Sequence, residues 1–173
     1  ENLFKQTAVT LLGALGFMLT VISGEVDLSS GGVIGLSGAL FAHLTNSINV
    51  LVAACVAVAV GLGVGVINGV LVGRFKLSSF LVTLATMFLT MGGERLYTHG
   101  FNCWIKDIGV VEVFSGHMLG IPNTVIIIVL SVVIAWLFTT QTRLGLHIRA
   151  VGENAMAAEE TGINVSRTKL VAF

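Results

Sequence analysis

The run "INVLVAACVAVAVGLGVGVINGVLVG", Ile48 to Gly73, carries no charged side chain. At about 1.5 Å of rise per helical residue it exceeds the roughly 30 Å hydrocarbon core of a bilayer. Such a run must be swallowed by a large core or given to lipid. Two further stretches are long and mostly apolar: "LSSFLVTLATMFLTMGGERLYT" (Leu77 to Thr98) and "NTVIIIVLSVVIAWLFTT" (Asn123 to Thr140). The chain has 173 residues, 55% apolar and 10% charged, against about 25% charged in ordinary soluble domains. With a mean hydropathy of +0.97, it reads as an all-α membrane protein, a polytopic bundle of transmembrane helices.

Nine basic and nine acidic side chains cancel, so no basic excess points to nucleic acid and no acidic excess to a solvating tail. Cys55 lies in an apolar run and Cys103 in a polar loop; that spacing makes neither a metal site nor a disulfide framework. No catalytic or metal-binding residue is expected.

Two shorter segments precede the long ones: residues 7–23 and 31–45. Lys5 is too thin an n-region, and "VISGEVD" too poor a cleavage site, for the first to be a signal peptide. The second reaches only about 22 Å as a helix, so the break between the two is expected within the membrane's thickness. The expected segments are thus 7–23, 31–45, 48–73, 77–98 and 123–140. Lysine and arginine set the orientation. Arg74 and Lys76 follow the third segment and Arg143, Arg149, Arg167 and Lys169 the fifth, whereas the loop from His99 to Pro122 holds only Lys106. The first two groups are expected in the cytoplasm and the loop on the opposite side.

Gly61, Gly65 and Gly69 form an overlapping G-x-x-x-G series, with Gly73 one step further. Small residues on one face let helix backbones approach closely, and packing within the chain is expected here. The segment "TVISGEVDLSSGGVIGLSG" places Glu25 and Asp27 in the apolar region. A carboxylate at bilayer depth costs on the order of 3 kcal/mol, so both must face protein or a wet cavity, and non-helical backbone at that depth has the same requirement. A broken helix near Gly24 to Gly32 follows. Asp27, Ser29 and Ser30 are N-cap candidates for the helix after the break, and transporter folds use such breaks to present polar groups to substrate. The expected pathway comprises Glu25, Asp27, Ser29, Ser30, Asn68 and Thr83; capping alone is the competing reading. Glu94 and Arg95, adjacent and so not facing each other, are read with Tyr97 as membrane-boundary residues.

After Thr140 the hydrophobicity collapses. In "QTRLGLHIRAVGENAMAAEETGINVSRTKLVAF", Asn154 is placed as an N-cap, "AMAAEET" supplies helix formers and Gly162 stands at the C-cap position. A helix over 154–162 is too short to be stable alone and must dock on something. This segment resembles the cytoplasmic segment of the membrane-spanning permeases of bacterial ATP-binding-cassette importers for monosaccharides. The matching positions of their T-x-F-G-R-x-I-x-A-I-G-G-N-x-x-A-A-R-x-S-G-I-x-V pattern are Thr142, Gly145, Ile148, Ala150, Gly152, Asn154, Ala157, Ala158, Gly162, Ile163 and Val165. "GEVDLSSGG" is similar to the family's G-G-I-D-L-S-V-G-S. "ENLFKQTAV" resembles the lead into that helix, and "VINGVLVGRFKLSSFLVTLATMFL" the central N-G…K…F-I-x-T-L region. The chain departs from the pattern at Met91, Leu146, Glu153 and Glu159.

The resemblance implies a multi-pass permease subunit of the bacterial inner membrane, itself not an enzyme, carrying a monosaccharide or similar small polyol. It implies three protein partners: an ATP-binding subunit that holds ATP and magnesium, a periplasmic sugar-binding protein and a second permease subunit, in a homodimer or heterodimer. No cofactor is expected on this chain. Gly152, Glu153, Asn154, Ala157, Ala158, Glu159 and Gly162 are assigned to ATPase coupling through a coupling helix at 154–162, within a cytoplasmic loop at 141–169. Residues 170–173 are expected to begin a further span, and the chain to be an N-terminal half lacking its first helix. The alternatives are a secondary transporter using Glu25 and Asp27 as ion carriers, and a non-transporting scaffold assembled through its glycine faces.

Overall fold

The computed structural model describes residues 2–118 and 120–173; Glu1, the first residue of the quoted "ENLFKQTAV", lies outside them. The described residues are almost entirely helical. They form α1 (Asn2–Ile22), α2 (Ser30–Ser47), α3 (Val50–Gly73), α4 (Ser79–Thr98), α5 (Ile108–Ser115), α6 (Asn123–Gln141), α7 (Arg143–Glu153), α8 (Ala155–Glu160) and α9 (Val165–Ala172). Between α5 and α6 a small antiparallel pair, β1 (His117–Met118) and β2 (Ile121–Pro122), sets His117 opposite Pro122. α2 packs along α3 and α4, α9 along α3, and α1 along α6.

Polarity is arranged inside out relative to a water-soluble core. Small and hydroxyl-bearing side chains are buried, among them Ala42, Ala53, Thr20, Thr83 and Thr90, while Leu62, Ile67, Leu89, Leu130 and Ile134 are exposed. Both α3 and α6 are long and apolar enough to cross a membrane, and only 6% of the most apolar window of each is buried in the protein. A soluble protein would bury such helices; lipid is the solvent that suits them. Most inward threonines satisfy themselves locally, Thr45 being an exception. Thr86 Oγ1 donates to the Val82 carbonyl at 3.1 Å, Thr90 to Thr86 at 2.8 Å and Thr139 to Ala135 at 2.8 Å, so their hydroxyls lie in helix interfaces without an orphan hydrogen.

The helices define two ends. At one, the link after α3 and the start of α4 share a cleft with Ala155, Met156 and Glu159 of α8. At the other, the Asn46 side chain clasps the loop after α4, its Nδ2 donating to the Trp104 carbonyl at 2.6 Å and its Oδ1 accepting from the Lys106 amide at 2.9 Å. The His43 and Tyr97 rings meet edge to face nearby, 5.4 Å apart.

Three helices were not anticipated from the sequence: α5, α7 and α9, the last running from the expected loop at 141–169 into the residues expected to begin a span. α5 interrupts the loop from His99 to Pro122 because Asp107 Oδ1 accepts from the Gly109 and Val110 amides and starts a turn in an apolar run. α7 fills what reads as polar tail. Thr142 caps it through the Gly145 amide at 3.0 Å, and Gly145, Ile148 and Val151 recur every third residue as its buried face.

Candidate functional site

The segment Ser23 to Ser29 between α1 and α2 is non-helical, and each of its polar side chains is engaged within the protein. Gly24 ends α1 in the left-handed region, at φ +80°. The Glu25 amide donates to the Thr20 carbonyl and the Gly24 amide to Val21, both at 3.0 Å, the paired bonds of a Schellman ending that glycine permits. The chain then leaves the helix. Val26 is held by α4: its amide donates to Ser79 Oγ at 3.2 Å, and Thr83 Oγ1 shares its hydrogen between the Val26 carbonyl at 3.2 Å and Ser79 at 2.7 Å.

Beyond Val26 the side chains form a relay. Asn68 Nδ2 donates to Ser29 Oγ at 2.9 Å, and the Ser29 hydroxyl donates to Asp27 Oδ1 at 2.6 Å. The Ser29 amide also donates to Asp27 Oδ1, at 2.8 Å. Asn68 is 1% exposed, and its Oδ1 has no hydrogen-bond partner among the described residues. Asp27, Ser29 and Ser30, with Thr20, form the polar part of the lining of an otherwise apolar cleft of about 670 Å³ between α1, α2, α3 and the end of α9.

This arrangement corrects the expected caps. Ser29 occupies the N-cap position of α2 but makes no side-chain cap bond. It has helical backbone angles (φ −73°, ψ −21°) rather than the extended ones that aim a capping oxygen at the next turn, and its hydroxyl is already committed to Asp27. The break also sits nearer one end of its neighbours than mid-length. Asn68 is five residues from the end of α3 and Thr83 four from the start of α4, or about 6–8 Å along each axis.

Glu25 is separated from Asp27 although only one residue intervenes. Its carboxylate pairs with Lys169 of α9. It lines a second cleft of about 500 Å³ with Ser79, Lys76, Met156 and Glu159. The six expected pathway residues therefore divide. Asp27, Ser29 and Ser30 line the apolar cleft, Asn68 supports them from behind, Thr83 holds the backbone, and Glu25 faces the α8 end. Ser79 and Lys169 complete these contacts without having been singled out in the sequence; a serine at the start of a helix and a lysine in a polar tail carry no such signal.

The expected coupling residues also divide. Asn154 Oδ1 accepts from the Met156 and Ala157 amides, both at 3.1 Å, and Gly162 follows α8 at φ +87°. Ala158 is buried, whereas Glu153, Ala157 and Glu159 are exposed. Gly152 presses on the end of α1: a Cβ there would lie 1.8 Å from the Ile22 carbonyl oxygen. Of the glycine series, Gly65 and Gly69 pack on α9, where an added Cβ would meet Phe173 at 2.6 Å and Leu170 at 2.8 Å, and Gly73 meets Ser166 at 2.6 Å. Gly61 departs from them, with only the Val33 side chain at 3.7 Å.

Comparison with known proteins adds a family to this geometry. The chain is 33% identical to the ribose import permease protein of Escherichia coli (strain K12), over 99% of this chain and 55% of the relative. It is 36% identical to the ribose import permease protein of Bacillus subtilis (strain 168), over 99% and 54%. The galactofuranose transporter permease protein of Escherichia coli (strain K12) is 34% identical over 94% and 48%. The chain thus spans about half the length of these curated relatives, and no solved structure matches it significantly. Over residues 1–173 it matches the family described as branched-chain amino acid transport system / permease component, and it belongs to that membrane permease family.

Proposed function

We propose that this chain is the pathway-forming part of a permease subunit in an ATP-driven importer for a monosaccharide or similar small polyol, acting in the bacterial inner membrane. α1, α2, α3, α4 and α6 cross the bilayer in alternation, and the Ser23 to Ser29 segment is a break in the crossing region. The end bearing Lys76 and α7 to α9 faces the cytoplasm. An ATP-binding subunit, which holds nucleotide and magnesium, docks on α8. A periplasmic binding protein delivers sugar to the other end, and a second permease subunit completes the conduit.

The observation that carries this reading is the Asn68–Ser29–Asp27 relay in the wall of an apolar cleft. A sugar presents hydroxyls at its rim and C–H groups on its faces, so a mostly apolar conduit with a few fixed polar groups suits it. Asp27 Oδ1 takes both hydrogens of Ser29, leaving Oδ2 without a protein donor among the described residues and ready to accept from a hydroxyl. The relatives named for ribose and galactofuranose support the same substrate class.

Ion coupling through a carboxylate pair is disfavoured, because Glu25 is neutralised by Lys169 and faces another cleft. A scaffold assembled through its glycine face is disfavoured too, since α9 of the same chain occupies that face. The test is uptake into proteoliposomes holding the full-length protein with its ATP-binding subunit and binding protein. ATP-dependent accumulation of a pentose or hexose supports the proposal; uptake sustained by a sodium or proton gradient without ATP would overturn it.

A further inference from the structure

Two contacts join the α7–α9 unit to the break, at the end of the molecule where α8 lies. The first is the Glu25–Lys169 ion pair, between positions 144 residues apart in sequence. The two side chains are only 14% and 22% exposed, respectively. The second is the close approach of Gly152 to the Ile22 carbonyl, at the last residue of α1. Between these contacts the cytoplasmic unit has little slack. Asn154 ends α7 and caps α8 with no spacer, the Ile163 amide returns to the Ala158 carbonyl at 3.0 Å, and α9 lies on the glycine face of α3.

On the break side slack is equally short. Glu25 is two residues from Asp27 and four from Ser29. The intervening Val26 is held to α4 by neutral bonds of 3.2 Å. A charge-assisted bond is roughly twice as strong as a neutral one, and the two neutral bonds at Val26 are both long and can give one at a time, so a displacement of α9 is passed to Glu25 before the pair parts. Val26 is the pivot that yields.

Resting on the importer reading above, we propose that Glu25 and Lys169, braced by Gly152 against Ile22, are positioning residues of a mechanical joint. The joint converts movement of α8 into movement of Asp27 and Ser29 in the cleft. Lys76 and Glu159 line the same cleft as the pair and set its local charge without replacing either partner.

The experiment compares Glu25→Gln, Lys169→Met and the exchanged pair Glu25→Lys with Lys169→Glu, each in the full-length protein assembled with its ATP-binding subunit. The readout is sugar accumulated per ATP hydrolysed, alongside co-purification of the ATP-binding subunit. Each single variant is expected to co-purify normally and hydrolyse ATP, with the ratio reduced at least about fivefold; the exchange is expected to recover most of it. An unchanged ratio in the single variants, or an exchange that assembles without recovery, overturns the joint. Loss of co-purification in the single variants also counts against it, because the pair would then be a folding contact. Absence of ATP-dependent uptake in the wild-type protein would instead remove the importer reading, so the two failures are distinguishable.

Discussion

Asp27 receives two hydrogen bonds on one oxygen, and what its charge contributes can be separated from what its shape contributes. Asp27→Asn retains an acceptor for Ser29 and an oxygen or amide for a sugar hydroxyl, whereas Asp27→Ala removes both. Hydrogen bonds to a charged group contribute about 1.5–3 kcal/mol and neutral ones about 1 kcal/mol. Initial uptake rates, normalised to inserted protein, should therefore fall about fivefold for Asp27→Asn and more than about tenfold for Asp27→Ala. Equal loss of insertion and transport in Asp27→Ala would reduce the residue to a structural tie. Asn68→Leu takes the donor from the Ser29 hydroxyl oxygen, on a residue that is largely buried at the cleft wall, a loss of about 1–3 kcal/mol, visible as a lower thermal midpoint of the purified protein. Asp27 and Ser29 were readable from sequence because acids and paired serines are conspicuous in an apolar run. Lys169 was not, since a pairing across most of the chain leaves no local pattern.

Among the helices, the glycine face of α3 makes a sharp comparison. Gly61, Gly65 and Gly69 share one spacing and were expected to act alike, yet only the latter two lie against backbone of α9. Gly69→Leu should destabilise by about 1–3 kcal/mol through overpacking, while Gly61→Leu, with a side-chain tip 3.7 Å away that can move, should unfold near the wild-type temperature. Equal midpoints for the two variants would contradict the α3–α9 packing. Asn154→Ala removes the cap of α8 at about 1 kcal/mol and should weaken co-purification of the ATP-binding subunit without altering membrane insertion. Unbroken apolar length revealed the long helices because lipid rewards it. It missed α7, whose apolar residues are spaced on one face, with Ile148 and Val151 buried beside Gly145, and never form a run.

The whole molecule inverts the polarity of a soluble protein: small and hydroxyl groups inside, large apolar groups outside. That inversion is already present in composition, but the end proposed as cytoplasmic is chosen on the distribution of lysine and arginine, and the structure groups the link bearing Lys76 with α8 at one end. Cys103 in the loop after α4 is exposed and should react in intact cells, once the outer membrane is made passable, with a maleimide that cannot cross the inner membrane. A cysteine at position 76 should react only after the inner membrane is opened. A single cysteine at position 27, in full-length protein with Cys55 and Cys103 replaced, reports whether the break lines a hydrated conduit. Modification by a small water-borne thiol reagent, slowed when the transported sugar is added, is the expected result. A position 27 inert to the reagent from both sides of the membrane through the whole ATP cycle would contradict it.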